Sequence, residues 1–347
     1  MTERRLYLDA GIVETRGVVA QDGRPERLLI DRDGDPAAQK LGARVVGRVR
    51  RVERAAALAF VDLGEGPDAV INLTAESGRL VEGEALEVEV RAEARSGKGA
   101  SVRVIGPGAG APRLLEPAPA MEARLAAFAR GAEIVRGSVA RTMADGAQDE
   151  ALQTIFPLPG GGSLAVETTR ALIAVDVDLG GRPGGEAKRA AKSANLAAIG
   201  AAARVLRLKG LGGLVVIDFI GRGHDGPALI SAARGAFAPD NPGVALGPVS
   251  RFGTLELTIP RRSRGVLDVL VDETGELSVL SQALVVIRAL EREAASDGGG
   301  RFEAIAAPDV AEAAGPALEV LGARVGVRVA IRAEPGRARE DFEVVRR

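Results

Sequence analysis

Short runs in which apolar and polar residues alternate make up the first third of the chain. Residues 1–32 alternate with the period of a strand and carry turn residues at Gly11, Asp22 and Gly23, a pattern that predicts a β-meander. From about residue 40, further short strands follow at even spacing with glycine turns between them, which favours a small barrel of the OB type. The five barrel strands are predicted at residues 43–52, 56–62, 68–73, 85–92 and 100–105.

The rest of the chain alternates strands with longer helical patterns. Residues 106–120 form a connection rich in Gly and Pro, and everything after it predicts an α/β unit followed by a small α+β unit at 280–347. The predicted helices lie at 120–130, 148–155, 186–208, 227–237, 282–295 and 308–321. The predicted strands lie at 163–167, 171–176, 214–219, 245–257 (a pair), 302–306, 325–333 and 342–345.

Two acidic strings stand in apolar strand patterns of the α/β unit. Asp176 and Asp178 are two residues apart, so they point to one face of a strand about 6.5–7 Å from each other. Asp218 closes the apolar run 214–217 and is expected at the tip of a neighbouring strand. Both strands read as buried, where an unpaired carboxylate is costly, so three converging carboxylates predict a hard cation such as Mg²⁺ and phosphodiester chemistry. The alternative is that these residues are helix N-caps or turn residues.

Composition removes several classes of site. The chain has no Cys, which excludes disulfides, thiolate zinc sites and cysteine nucleophiles, and its single His, His224, disfavours a His-based triad. The net charge is −1, so there is no overall basic signature for nucleic acid, although 41 of the 46 basic residues are Arg, which suits bidentate phosphate contacts. The sequence contains no long apolar span and no signal-peptide profile, so we expect a soluble, cytoplasmic protein of two or three domains.

One co-linear set of motifs resembles a known family. The motifs are Leu-Pro-Gly-Gly-Gly-Ser at 158–163, Thr-Arg-Ala-Leu-Ile-Ala-Val-Asp at 169–176, Val-Leu-Arg-Leu-Lys at 205–209, Leu-Gly-Gly-Leu-Val-Val-Ile-Asp-Phe-Ile at 211–220 and Ser-Arg-Phe-Gly-Thr-Leu-Glu-Leu at 250–257. On these residues the chain resembles the ribonuclease E/G family, and the order of its parts is similar to the smaller ribonuclease G branch. The segments 47–64 and 302–347 are similar to that family's RNA-binding barrel and C-terminal domain.

The resemblance implies a multi-domain α+β fold. It implies an RNase-H-like unit with an inserted OB-fold RNA-binding domain, a DNase-I-like α/β catalytic subdomain and a small C-terminal α+β domain. The corresponding boundaries are 1–38 for the first strands of the RNase-H-like unit, 39–106 for the barrel, 107–160 for the shortened remnant or linker, 161–275 for the catalytic subdomain and 276–347 for the last domain.

The resemblance also implies an endoribonuclease that cuts single-stranded RNA in RNA processing or decay. The implied cofactor is Mg²⁺, with Mn²⁺ as an alternative and no zinc, and no membrane is involved. Asp176 and Asp218 match the family's metal-binding aspartates, and Asp178 stands where the family has an asparagine, so all three are catalytic candidates. The implied RNA-binding residues are Phe60, Lys98, Asn195, Arg204, Arg207 and Arg251. The competing interpretations are plain helix solvation for Arg204 and Arg207, a strand-edge position for Arg251 and barrel core for Phe60.

Several departures from the family pattern leave a second function open. Asp178 adds a charge in the asparagine position, Gly221 replaces a carboxylate, and Val70 stands at a second aromatic position of the barrel. The region 266–275 lacks the cysteines of the family's zinc link, which leaves the oligomeric state open. Only about fifty residues (106–157) occupy the interval that carries the 5′-monophosphate sensor, so we expect no 5′-end sensing. The alternative is a catalytically degenerate RNA- or ribosome-binding relative. A dinucleotide-binding role for the glycines at 180–185 is disfavoured by their spacing.

Overall fold

The computed structural model describes residues 3–74, 78–95, 97–180, 187–221, 224–326 and 328–347, which form four β-sheets with helices packed around them. The strands are β1 Arg4–Ala10, β2 Glu14–Gln21, β3 Arg24–Arg32, β4 Arg44–Glu53, β5 Leu58–Asp62, β6 Ala69–Asn72, β7 Ala85–Ala92, β8 Ser101–Pro107, β9 Arg113–Glu116, β10 Ile134–Val135, β11 Ile155–Pro157, β12 Ser163–Thr168, β13 Ile173–Asp178, β14 Gly213–Asp218, β15 Ala245–Val249, β16 Thr254–Ile259, β17 Phe302–Ala306, β18 Val329–Ala333 and β19 Glu343–Arg346. The helices are α1 Met121–Ala126, α2 Ser138–Leu152, α3 Ala187–Leu208, α4 Gly226–Phe237, α5 Val266–Leu270, α6 Val279–Ser296, α7 Pro308–Ala313 and α8 Gly315–Val325. The mixed α+β class is thereby confirmed.

The first sheet has the order β10-β1-β2-β3, and its three long strands form the antiparallel meander that the sequence predicts. Side chains that alternate along β1 and β2 pack against helices on both faces of this sheet. Tyr7 and Val18 pack on α2, whereas Leu6 and Val19 pack on α1. The helix predicted at 148–155 in fact spans Ser138–Leu152, because small residues such as Ala140, Ala144, Ala147 and Ala151 continue the buried stripe of that helix toward its N-terminus.

The second sheet closes into the predicted barrel. Strands β4 to β8 pair in the order β5-β6-β8-β7-β4, and a β4–β5 pairing completes the circle. Strand β9 adds to the outside of β4 as a further strand. Gly99 allows the closest approach inside this barrel, because a Cβ there would lie 1.8 Å from the Asp68 carbonyl oxygen.

The third sheet carries the predicted aspartates and has the order β11-β12-β13-β14-β16-β15. Helices α3 and α4 cover one face, where Val175, Ile217 and Leu255 join the largest hydrophobic core of the described residues. Strands β13 and β14 are parallel, and the other pairings in this sheet are antiparallel. The glycine-rich connection before α3, residues 181–186, lies outside the described residues. Among the described residues, no helix packs on the second face of the sheet, where Asp176 and Asp218 are exposed.

The fourth sheet, β18-β17-β19, packs on α6, α7 and α8 and forms the predicted C-terminal α+β unit. Ile12, in the turn between β1 and β2, is buried in the core of this unit, so the two ends of the sequence are packed together. Among the described parts of the chain, none of the helices combines the length and apolar character needed to cross a membrane.

A buried network of ion pairs joins the first sheet to α2 and α6. The Arg16 side chain is 1% exposed and its Nη2 lies 2.6 Å from Asp9 Oδ2 and 2.8 Å from Asp145 Oδ1. Burial lowers the pKa of Arg16, but these two carboxylates together raise it above its ordinary value. Arg288 on α6 contacts Glu14 at 2.7 Å, and burial with the nearby Arg16 charge lowers the pKa of Arg288 to about 10. Both arginines are therefore charged at neutral pH.

Candidate active site

Asp176 and Asp218 are direct neighbours on the two parallel strands of the third sheet. They are register partners of β13 and β14, so their Cα atoms lie about 4.8 Å apart and their side chains project from the same face. Both are exposed and stand at the carboxyl ends of their strands. Within the described residues neither carboxylate has a hydrogen-bond or ion-pair partner. Two unpaired carboxylates side by side repel each other, and a cation between them would relieve that repulsion.

Asp178 does not join this pair. It lies one pleat further along β13, pairs in register with Ser163, and its Oδ1 accepts a hydrogen bond from Gly180 N at 3.1 Å. No three acidic or His side chains in the described part of the chain lie close enough to hold one ion. The expectation that three carboxylates converge is therefore wrong for Asp178, because β14 ends at Asp218, the register partner of Asp176, and has no residue beside Asp178.

The aspartates are also not buried, in contrast to the sequence-based expectation. All three lie on the uncovered face of the sheet, while Val175, Val177 and their neighbours point into the core. The runs read as buried because residues on the open face, such as Ala174 and Val216, are also apolar. A burial cost therefore does not explain why these carboxylates are present.

Asn195 of α3 fixes the chain directly after Asp218. Its Nδ2 donates to the Ile220 carbonyl oxygen at 3.0 Å, and its Oδ1 accepts from Ile220 N at the same distance. Asn195 is 3% exposed and fully engaged by this backbone. It sits beside the aspartate edge, as expected, but as a positioning residue and not as an exposed RNA ligand.

Arg204 and Arg207 do not face the aspartates. Arg204 lies nine residues after Asn195, about 13 Å along the helix, and bonds the Pro25 carbonyl oxygen at 2.9 Å and Glu150 at 2.5 Å. Arg207 contacts Asp240 at 2.8 Å and Glu26 at 3.1 Å. Both side chains are about nine-tenths buried, at 11% exposure. The expectation that they face the site is wrong, because that side of α3 packs against the first sheet.

The turn between β15 and β16 brings Arg251 to the aspartate edge. Thr254, which starts β16, is the register partner of Asp218, and Phe219 N donates to the Gly253 carbonyl oxygen at 3.1 Å. Arg251 is exposed, and its Cζ lies 4.7 Å from the centroid of the Phe252 ring. Among the described residues Arg251 has no acidic partner, so it is a free cation close to two free carboxylates.

His224, the single histidine of the chain, packs behind this turn and is partly buried. Its ring centroid lies 6.0 Å from that of Phe219, and its Nε2 is buried with no hydrogen-bond partner among the described residues. A Cβ at Gly253 would lie 2.7 Å from this Nε2. His224 therefore supports the turn from inside. Its neighbours at 222–223 lie outside the described residues.

The barrel residues predicted to bind RNA lie together on the outside of the barrel. Phe60 pairs in register with Val70, Val70 pairs with Ser101, and the exposed Lys98 lies three residues before Ser101. Phe60 is absent from the barrel core, and the Arg51 guanidinium carbon lies 4.6 Å from its ring centroid. The surface position excludes the barrel-core interpretation of Phe60 and places a cation and an aromatic ring side by side.

Asp176 and Asp218 have the donor chemistry of a Mg²⁺ site. This ion is commonly held by one or two carboxylates and completes its shell with water and substrate phosphate, which requires an open position. Two exposed carboxylates without other partners meet that requirement. No sulfur or imidazole ligand is needed, and the chain offers no Cys.

Comparison with known proteins finds relatives of the segment that carries the two aspartates. Residues 135–262, which include both aspartates and the 250–254 turn, match the family model described as the Ribonuclease E/G family. Ribonuclease E of Haemophilus influenzae is 32% identical over 173 residues, which is 47% of this chain and 18% of the relative. Ribonuclease E of Escherichia coli is 37% identical over 118 residues, 33% of this chain and 11% of the relative.

Ribonuclease G of Salmonella typhimurium is 30% identical over 209 residues, which is 56% of this chain and 43% of the relative. The chain spans less than half the length of each of these three relatives. These matches confirm the family resemblance that the sequence motifs indicate.

Proposed function

The chain is related to the ribonuclease E/G family through residues 135–262, and on this premise we propose that it is an endoribonuclease that cuts single-stranded RNA with Mg²⁺. The observation that carries the proposal is the register pair of Asp176 and Asp218, exposed and unpaired on one sheet face. The reaction class, ribonuclease, comes from these relatives.

In this proposal, Asp176 and Asp218 hold the ion, Mg²⁺ or alternatively Mn²⁺. When bound, the ion supplies charge stabilisation at the scissile phosphate and lowers the pKa of a water molecule. Asn195 keeps Asp218 in register by holding Ile220. Arg251 neutralises phosphate charge next to the carboxylates, which otherwise repel the RNA backbone.

The barrel surface is proposed as the second RNA contact. Phe60 stacks on a base and Lys98 contacts phosphate, so the barrel holds the strand without reading its sequence. Val70, beside Phe60, offers no ring for a second base. RNA binding by this surface is expected to rest on one aromatic platform.

A direct cleavage assay tests the proposal. A labelled, unstructured A/U-rich RNA is incubated with the wild-type chain in Mg²⁺, in EDTA, and with Asp218→Asn in Mg²⁺. Glu167→Gln is the matched control, because Glu167 is an exposed carboxylate on the same sheet whose register partner is Ala174. Cutting that requires Mg²⁺, is lost in Asp218→Asn and persists in Glu167→Gln supports the proposal. Intact RNA with retained binding in every arm supports the non-cutting, RNA-binding alternative.

We further propose that cleavage does not depend on the 5′ end of the RNA. The interval 106–157 contains β9, β10 and β11 with α1 and α2, and the two helices pack on the first sheet. Within this interval, Arg141 forms an ion pair with Glu291 at 3.1 Å, so its charge is already neutralised inside the protein. Substrates with 5′-hydroxyl and 5′-monophosphate ends are expected to be cut at equal rates. A strong preference for the monophosphate contradicts this.

A further inference from the structure

Phe252 is the most exposed large hydrophobic side chain in the described part of the chain. Its side chain is 75% exposed, while the buried phenylalanines Phe156, Phe219, Phe237 and Phe302 are at most 6% exposed. A single exposed ring is not a hydrophobic interface. The sheet face next to it carries carboxylates, including Glu256, Asp176 and Asp218, so it does not suit an apolar protein partner.

The turn that carries Phe252 is held tightly. Ser250 Oγ lies 2.8 Å from Thr254 Oγ1 and accepts from Phe252 N at 3.2 Å, and Gly253 N donates to the Ser250 carbonyl oxygen at 3.1 Å. Gly253 has a φ of +93°, which favours glycine, and is packed on His224. The backbone from which the ring projects is therefore held in place.

That position is beside the proposed scissile phosphate. Gly253 is bonded to Phe219, the residue after Asp218, and Thr254 pairs with Asp218 itself. Phe252 is two residues before that register position, at most about 7 Å along the chain, so its ring projects from the edge that carries the carboxylate pair.

Arg251 gives the ring the character of a nucleotide-binding surface. Its guanidinium carbon lies 4.7 Å from the ring centroid, and it has no acidic partner among the residues that the structure describes. An aromatic ring with an unpaired arginine beside it can stack a base and contact its phosphate. The barrel also places an arginine beside a ring, with Arg51 at 4.6 Å from the Phe60 ring centroid, although Arg51 is paired with Glu53 at 2.9 Å.

We propose that Phe252 is the stacking platform for the nucleobase next to the scissile phosphate. It sets which phosphate reaches Asp176 and Asp218, and it acts as a positioning residue. The inference rests on the proposed function and adds to it a base-binding subsite on the catalytic sheet. Because a stacking surface makes no hydrogen bonds to base edges, the subsite requires a base but tolerates any base.

An abasic walk tests this subsite by binding alone. The Asp218→Asn chain, which is not expected to cut, is titrated with unstructured RNA oligonucleotides that carry one abasic residue at successive positions. With Phe252 present, one position besides the one assigned to Phe60 is expected to weaken binding roughly 5- to 150-fold beyond positions not held by an aromatic ring. In the Asp218→Asn, Phe252→Ala double variant, the loss at that one position is expected to disappear. Phe252→Tyr is expected to restore it.

Ile155→Ala is the matched control. Ile155 is 63% exposed on β11, at the opposite edge of the same sheet, so the variant removes a comparable exposed apolar group far from the turn. It is expected to leave the abasic profile unchanged. Thermal unfolding of each variant confirms that the fold is intact.

Other outcomes overturn the inference. In the first, the Phe252→Ala variant keeps the position-specific loss of binding. In the second, that variant binds every oligonucleotide more weakly by the same factor. In the third, the chain binds no RNA. A wild-type chain that does not cut RNA but shows the position-specific coupling refutes the proposed endoribonuclease and leaves the base subsite standing.

Discussion

Replacing Asp218 with Asn is expected to stabilise the metal-free protein and to remove its response to Mg²⁺. Asp176 and Asp218 are register partners about 4.8 Å apart on exposed strand ends. Two unit charges at that distance in water repel by about 0.9 kcal/mol, and physiological salt reduces this to roughly half. Asp218→Asn without metal is therefore expected to be more stable than wild type by about 0.5 kcal/mol.

With Mg²⁺ the order reverses. A ligand that binds only the folded state at ten times its dissociation constant stabilises it by about 1.4 kcal/mol. The wild type gains this stability, whereas Asp218→Asn lacks one of the two ligands and does not. The predicted signature is thus a crossing, with the variant more stable in EDTA and the wild type more stable in saturating Mg²⁺.

Thermal and urea unfolding followed by circular dichroism measure this crossing, and calorimetric titration gives the Mg²⁺ dissociation constant. Glu167→Gln removes the same charge from the same face and is expected to respond to Mg²⁺ like the wild type. A Mg²⁺ response equal in wild type and Asp218→Asn refutes the two-carboxylate site. An Asp218→Asn variant that is markedly less stable in EDTA shows instead that Asp218 has a structural partner.

Three further predictions concern stability. Lys209 is buried, and burial lowers its pKa from 10.5 to about 8. Between these two pH values the unfolded chain binds more protons than the folded chain, so the stability of the folded state increases with pH. Relative to Lys209→Met, the wild type is therefore expected to gain at most about 3 kcal/mol from pH 8 to 10.5. Equal pH slopes in urea unfolding contradict this. Arg16→Met leaves the Asp9 and Asp145 carboxylates without their cation and is expected to cost about 3–5 kcal/mol in urea unfolding, whereas Arg5→Met, at an exposed pair, leaves the midpoint unchanged. Gly253→Ala, which places a Cβ 2.7 Å from His224 Nε2 at a φ of +93°, is expected to cost roughly 1 kcal/mol or more and to slow cleavage. Gly235→Ala in α4, where a Cβ meets nothing within 4 Å, is the control, and equal effects of the two contradict the strain argument.

Strand periodicity and turn residues were sufficient to predict the meander, the barrel and the order of the later elements. The period-two pattern of β1–β3 and the glycine turns of the barrel are local signals, and the structure keeps both. Their positions near strand ends were sufficient to predict that Asp176 and Asp218 lie close together. The register itself is set by the packing of α3 and α4 beneath the sheet, which no local pattern specifies.

Which side of an element faces solvent could not be predicted. Ala174 and Val216 made the aspartate strands look buried on both faces, although only one face is covered. Arg204 and Arg207 looked like surface arginines of a helix beside the site, but the first sheet folds onto that side and buries them. Phe252 was visible within the Ser-Arg-Phe-Gly motif. Because only 3% of the residues are aromatic, a Phe in a polar turn is a sequence signal for an exposed, functional ring.

The burial of Ile12 and Glu14 against the C-terminal unit has a consequence for biosynthesis. Glu14 and its partner Arg288 are 274 residues apart in the chain. At a translation rate of about 5–20 residues per second, the turn after β1 waits roughly 14–55 seconds for α6 to emerge from the ribosome. During that interval Ile12 is exposed and Glu14 lacks its Arg288 partner, so this hairpin is made well before it can reach its native surroundings. A chain whose synthesis is terminated before α6 therefore contains every strand of the third sheet, but its turn between β1 and β2 exposes an apolar residue to chaperones and proteases.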